Sequence, residues 1–212
     1  MILSFSFNVL ILYTLLSFPC SSNSNLNKPI SLWHMVQKEI PYTAKTRYQI
    51  ALGIARGLTY LHEKCRDCII HCDVKPENIL LDADFCPKVA DFGLAKLVGR
   101  DFSRVLTTVR GTIGYLAPEW ISGVAITAKA DVYSYGKILF EVVSGRRNSG
   151  PLGDDKVSFF PTLAAKVVAS WCVQGNETQR PTMGQVVQIL EGILEVNLPP
   201  TPRSLQIFYD NQ

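Results

Sequence analysis

No block of like charge interrupts this sequence. Its 21 Lys and Arg and 18 Asp and Glu residues leave a net charge of only +3, with the basic residues scattered, so neither nucleic acid nor an acidic membrane surface is indicated as a main partner. Beyond residue 18 no apolar run is long enough to cross a membrane, which takes about 20 residues. The six cysteines include Cys65, Cys68 and Cys72, a spacing that invites zinc, but no fourth ligand follows at zinc-finger distance. Free thiols, of the kind a reducing compartment preserves, are the better reading.

What is present starts with a stretch of its own composition. Residues 1–22 contain an uncharged apolar run from Ile2 to Phe18, a break at Pro19 and then small polar residues. That order resembles a secretory signal peptide cleaved near Ser22; a short membrane anchor and an upstream sequence translated in error are the alternatives. Residues 23–42 read as a polar linker. The remainder, in a chain that is 47% hydrophobic, has room for one or two small domains around a real core.

From Thr43 to Glu63, Tyr48, Ala51, Ile54, Ala55, Leu58 and Leu61 recur at steps of three and four, which predicts an amphipathic helix lying on that core. Ile69-Ile70, Ile79-Leu80-Leu81 and Lys88-Val89-Ala90 are short strand-like runs separated by turn residues. A second helix is predicted over 129–144, with an apolar stripe so wide that several sides must be buried. Asp131 near its start is then a carboxylate entering a core, which must be paired or capping. Residues 145–156 read as a polar loop, about 163–173 and 183–195 as two closing helices, and Pro199-Pro200-Thr201-Pro202 as an extended tail. The fold class expected is mainly α, with a few short strands.

The chemistry is concentrated in Ile69-Ile70-His71-Cys72-Asp73-Val74-Lys75-Pro76-Glu77-Asn78-Ile79-Leu80-Leu81, followed by Val89-Ala90-Asp91-Phe92-Gly93 and Ala117-Pro118-Glu119. Apolar runs deliver Asp73, Lys75 and Asn78 onto one turn and Asp91 onto another. Phosphoryl transfer needs a carboxylate to take the attacking hydroxyl's proton, oxygen ligands for Mg²⁺ and a cation beside the transferred group. Asp73, the pair Asn78 and Asp91, and Lys75 can fill those roles in turn.

In this order, the H-x-D-x-K-P-x-N loop, the D-F-G and the A-P-E resemble the C-terminal lobe of a eukaryotic protein kinase, of the serine/threonine-specific group. Gly111-Thr112-Ile113-Gly114-Tyr115-Leu116-Ala117-Pro118-Glu119-Trp120, Asp131-Val132-Tyr133-Ser134-Tyr135-Gly136 and Arg180-Pro181-Thr182-Met183 narrow the resemblance to plant receptor-like kinases with lectin-type (S-domain) extracellular regions. The resemblance implies a kinase-like C-lobe over 43–198 and a tail over 199–212. It implies ATP and Mg²⁺ as cofactors, with Asp73 as base, Lys75 supporting the phosphoryl group, Asn78 and Asp91 holding metal, and Leu80 as the floor beneath adenine. It places Thr112 against Asp73 and Lys75, has Asp131 hold the catalytic-loop backbone, and pairs Glu119 with Arg180. Residues 91–119 become an activation segment with Thr107, Thr108 and Ser103 as candidate phosphorylation sites. At Cys72 many kinases carry an Arg that docks an activation-loop phosphate, so a phosphate on Thr107 or Thr108 is not expected to act through residue 72.

Other family features have no counterpart. The stretch before Thr43 contains neither G-x-G-x-x-G nor a V-A-I-K-type strand, so an N-terminal lobe is expected to be absent. Near Val168-Ala169 the sequence joins too early, as if one helix and its loop were deleted. Three readings follow: a serine/threonine kinase catalytic domain, with a protein Ser/Thr hydroxyl as substrate; an inactive lobe that docks on a full-length receptor kinase as a binding module or decoy; or an incomplete reading of a longer gene. The apolar N-terminus implies membrane or secretory-pathway association, whereas the core is of cytosolic type.

Overall fold

The computed structural model describes residues 29–37, 43–98, 111–144 and 160–200. Within them, three long helices gather around one apolar core, and a fringe of short strands carries the polar loops. In chain order the elements are β1 (Ile30–Ser31), α1 (Leu32–Gln37), α2 (Ala44–Thr59), a π-helical turn (Tyr60–Lys64), β2 (Cys68–Ile70), β3 (Ile79–Leu81), β4 (Pro87–Val89), β5 (Lys96–Val98), α3 (Pro118–Ile121), α4 (Lys129–Ser144), α5 (Phe160–Cys172) and α6 (Met183–Leu190). The mainly α class with few short strands is what the sequence implied.

α2 begins where Thr43, in extended conformation, accepts from the Thr46 backbone N–H at 3.2 Å, satisfying one donor of the first turn. The predicted stripe does turn inward: Ala51, Ile54, Ala55, Leu58 and Leu61 are buried, and the half-buried Tyr48 donates its hydroxyl to the Leu190 carbonyl. α4 occupies its predicted span and is buried on several sides, with Val132, Tyr135, Ile138, Leu139 and Val142 in the same core. α4 and α5 approach closely at Gly136, where a Cβ would stand 2.6 Å from Cys172 Cβ and 2.9 Å from Val173 Cγ1. α5 runs unbroken through Val168 and Ala169, both fully buried.

β3 sits between β1 and β4, antiparallel to both, with Ser31 opposite Leu80 and Ile79 opposite Val89. β2 pairs antiparallel with β5 from Cys68–Val98 to Ile70–Lys96. The two small sheets bring the ends of β2, β3 and β4 towards one another, and the catalytic-type loop occupies the junction.

Two expected boundaries need correction. Residues 23–42 are not all linker: Ile30–Ser31 joins the sheet, and α1 buries Leu32 and Met35. These two lie three apart, hence on one helical face, a pattern too short to register against the polar composition around it. α6 also stops at Leu190 rather than near 195. Gly192, at φ 74°, donates to the Ile189 carbonyl, and the Ile193 N–H reaches back to Gln188 O at 2.8 Å, a left-handed glycine stop. The predicted 145–156 loop, the 1–22 segment and the tail from 201 onward lie outside the described residues.

Candidate active site

The loop after β2 is fixed from below. Asp131, in the first turn of α4 and 1% exposed, accepts from the His71 N–H at 2.7 Å, the Cys72 N–H at 2.9 Å and His62 Nε2 at 2.9 Å. Burial alone would push this carboxyl up, but the His62 side chain and the hydrogen bond from the His71 N–H hold it below the usual carboxylate range. The expectation that a buried Asp131 must be paired is met by these three donors. Cys72 adopts φ 69°, the left-handed region that non-glycine residues enter at a cost, and the successive His71 and Cys72 N–H bonds to Asp131 secure that turn. The buried His71 spans the next gap: Nε2 donates to Ala90 O at 2.9 Å, and Nδ1 accepts from the Asp73 N–H at 3.3 Å.

The polar side chains then converge on Asp73. Lys75 Nζ lies 2.7 Å from Asp73 Oδ2 and 2.9 Å from Thr112 Oγ1, and the Thr112 hydroxyl donates to Asp73 Oδ1 at 3.0 Å. Asn78 Nδ2 donates to the Asp73 carbonyl at 3.0 Å and to Oδ2 at 3.1 Å. Both side-chain bonds of Asn78 therefore use its nitrogen, which leaves Oδ1 for a hard cation. Asp91 is exposed and left-handed at φ 61°, with Oδ1 accepting from the Gly93 N–H at 3.3 Å. Because the Ala90 N–H bonds to Asn78 O at 2.8 Å, Asn78 and Asp91 flank the open end of the β3–β4 hairpin. In β3, Ile79 and Leu81 point into the core, while Leu80 is only partly covered and faces the other side, as strand alternation requires.

The segment leading away is anchored twice more. Tyr115 donates its hydroxyl to both oxygens of the buried Glu141 at 3.0 and 2.9 Å, and Ser134 Oγ donates to the Tyr115 carbonyl at 2.7 Å. Arg180, 1% exposed, forms a bidentate pair with Glu119 at 2.6 and 2.8 Å; its remaining donors go to the carbonyls of Gln174, Lys129 and Gly175. With every guanidinium proton directed at an acceptor, the desolvation of this pair is offset as far as geometry allows. Lys129 Nζ donates to the Arg180 carbonyl, and burial with the nearby Arg180 charge lowers its pKa.

Asp73, Lys75, Asn78 and Thr112 are thus brought together directly, with Asp91 and Leu80 on the adjoining hairpin. Sequence reasoning missed His62, which sits in the π turn beside Leu61; the only signal was a polar residue at the inner edge of an apolar helix. It also missed Glu141, whose place within a wide apolar stripe marks a buried carboxylate. Thr107, Thr108 and Ser103 lie outside the described residues. Cys65, Cys68, Cys72 and Cys172 are free thiols. Cys86, partly exposed in the β3–β4 turn, is disulfide-bonded instead. Among the described residues no group of three or more His, Cys, Asp or Glu is placed to hold a metal ion, and no helix is long and apolar enough to cross a membrane.

Comparison with known proteins bears on the same residues. A G-type lectin S-receptor-like serine/threonine-protein kinase of Arabidopsis thaliana is 59% identical over 222 residues, covering 91% of this chain and 27% of the relative. A second Arabidopsis protein of the same description is 53% identical over 198 residues (76% and 25%), and one from Oryza sativa subsp. indica is 43% identical over 187 residues (74% and 23%). The chain therefore spans about a quarter of the length of these relatives. The first match, at 222 residues, is longer than the whole 212-residue chain, so that relative carries residues within the matched span that have no counterpart here. The sequence model of the protein kinase domain matches residues 21–190, a span that takes in β1 and α1 as well as every polar group described above, and the chain belongs to the protein kinase domain family.

Proposed function

We propose that this chain carries the catalytic lobe of a serine/threonine protein kinase, transferring the γ-phosphate of ATP to a protein Ser or Thr hydroxyl in receptor-like signalling. The observation that carries this reading is the triangle of Asp73, Lys75 and Thr112, closed by contacts of 2.7, 2.9 and 3.0 Å. A carboxylate so held can accept a hydroxyl proton without swinging away, and a lysine shared with a threonine stays beside the transferred group. Asn78 Oδ1 and the Asp91 carboxylate are hard oxygen donors of the kind Mg²⁺ takes. Bound there, the metal would neutralise phosphate charge. Leu80 supplies an apolar surface for adenine.

The test is phosphate incorporation into a generic Ser/Thr substrate protein at millimolar Mg-ATP. Incorporation that disappears in Asp73→Asn and with chelator is expected; incorporation unchanged in Asp73→Asn, or none in the parent chain, overturns the catalytic reading. The second outcome favours an inactive lobe that docks on a full-length receptor kinase.

A further inference from the structure

Beyond α6 the chain does not trail off. Residues 195–200 have no regular hydrogen-bonded structure of their own, yet they return to the end of α5 and meet two donors there. The Trp171 indole Nε1–H donates to the Asn197 carbonyl at 2.9 Å, and Gln174 Nε2 donates to the Pro200 carbonyl at 2.9 Å. Gln174 is 4% exposed, and the same nitrogen donates to Ser170 O at 2.9 Å, which fixes the amide by capping a carbonyl of the last helical turn. Its backbone oxygen is taken by Arg180 Nε at 2.7 Å. The site is therefore built from held groups.

The spacing identifies the kind of backbone that fits. Donors at 171 and 174 meet carbonyls at 197 and 200, three apart on both sides. A polyproline II helix has three residues per turn and no internal hydrogen bonds, so every third carbonyl faces the same way and is available. Burial follows that period: Val196 and Pro199 are half-buried, whereas Glu195, Asn197, Leu198 and Pro200 are exposed, and Val196 packs on the main core. The sequence agrees, because the rings of Pro199 and Pro200 lock their own φ into the range of that helix and push the residue before each into extended conformation.

We propose that Trp171 and Gln174 form a recognition site for a polyproline II peptide, that segment 196–200 fills it in cis, and that a proline-rich segment of another molecule occupies it once this strap is released. The site lies outside the residues assigned to phosphotransfer and does not depend on that assignment. An indole N–H aimed at a carbonyl of an extended, proline-rich chain gives affinity with little ordering cost, since the ligand is preorganised.

The test uses a fluorescent peptide of residues 195–200 and fluorescence anisotropy against two proteins, the full chain and a chain ended after Leu194 whose helical content is checked by circular dichroism. The ended chain should bind the peptide, and the full chain should bind it at least about tenfold more weakly, because the tethered strap competes at millimolar effective concentration. Trp171→Phe and Gln174→Ala in the ended chain should each weaken binding by about five- to tenfold, the factor of one neutral hydrogen bond. A folded, ended chain that ignores the peptide overturns the proposal, as does binding that survives both substitutions or equal binding of a peptide with both prolines replaced by glycine. Should the ended chain not fold, the full chain decides by NMR. The Trp171 indole proton should exchange slowly and become fast in Pro199→Gly/Pro200→Gly; unchanged protection sinks the site.

Discussion

Cys72 combines a left-handed backbone with a buried thiol. Burial is the main reason its pKa is pushed up to about 12, with Asp131 adding to it. The thiolate is the reactive form, so Cys72 should resist iodoacetamide at pH 8 in the folded chain, while the partly exposed Cys65 and Cys68 react first; mass spectrometry of the alkylated peptides reads the order. Asp131, which holds Cys72, carries the larger energetic share. Asp131→Asn removes the charge and sets an NH2 against at least one of the three donors, and should lower stability by roughly 1.5–3 kcal/mol, the range for charge-assisted bonds. Because the folded-state pKa of Asp131 lies below its ordinary 3.8, its contribution is complete above that value and fades as pH falls through the folded pKa. The gap between parent and variant in urea titrations should therefore be constant near pH 6–7 and narrow below about pH 3.8. These side chains were legible to different degrees. Asp73, Lys75 and Asn78 could be singled out because charged and polar residues at motif spacing rarely serve packing alone, whereas the place of Thr112 beside Asp73 and Lys75 was legible only through the family resemblance. His62 could not, because its role comes from a carboxylate 69 positions away.

Helices were read from their apolar period, and their limits from capping chemistry, with unequal success. α4 could be delimited because its stripe is continuous, whereas the π turn after α2 was invisible: inserting one residue per turn changes no composition. That turn has a consequence for packing. It presents Glu63, which accepts from the Gly184 N–H at 2.9 Å in the first turn of α6, reinforcing the capping box of Thr182 and Gln185. A Cβ at Gly184 would stand 2.5 Å from Glu63 Oε2, but a flexible carboxylate can withdraw. No such relief exists at Gly136, whose neighbours are Cys172 Cβ, Val173 and the Ala169 carbonyl. Gly136→Ala should therefore force α4 and α5 apart and cost about 1–3 kcal/mol, as overpacked cores do, despite the better helix propensity of alanine. A urea midpoint equal to or above that of the parent would show that the two helices can separate without loss.

At the scale of the molecule, the question is how much of a nucleotide site the described surfaces make. The hairpin offers Leu80 on its open face, with Asn78 and Asp91 at its end, and Lys75 stands beside Asp73 at 2.7 Å. On the proposed reading these groups would touch adenine from one side and the metal-bound phosphates from below. Contacts from above come, in the protein kinase scheme, from a glycine-rich loop and a strand lysine, and the sequence before Thr43 contains no glycine at all. Each missing phosphate contact is a charge-assisted hydrogen bond of about 1.5–3 kcal/mol, so losing two of them weakens binding by roughly 10²–10⁴-fold. The 212-residue chain should accordingly bind Mg-ATP with a Kd of about millimolar or weaker. Calorimetric titration decides. Weak binding that Asp91→Ala abolishes would assign the metal to the hairpin and attribute the low affinity to the absent upper contacts. Micromolar binding that Asp91→Ala abolishes would mean that groups elsewhere in the 212-residue chain close over the phosphates.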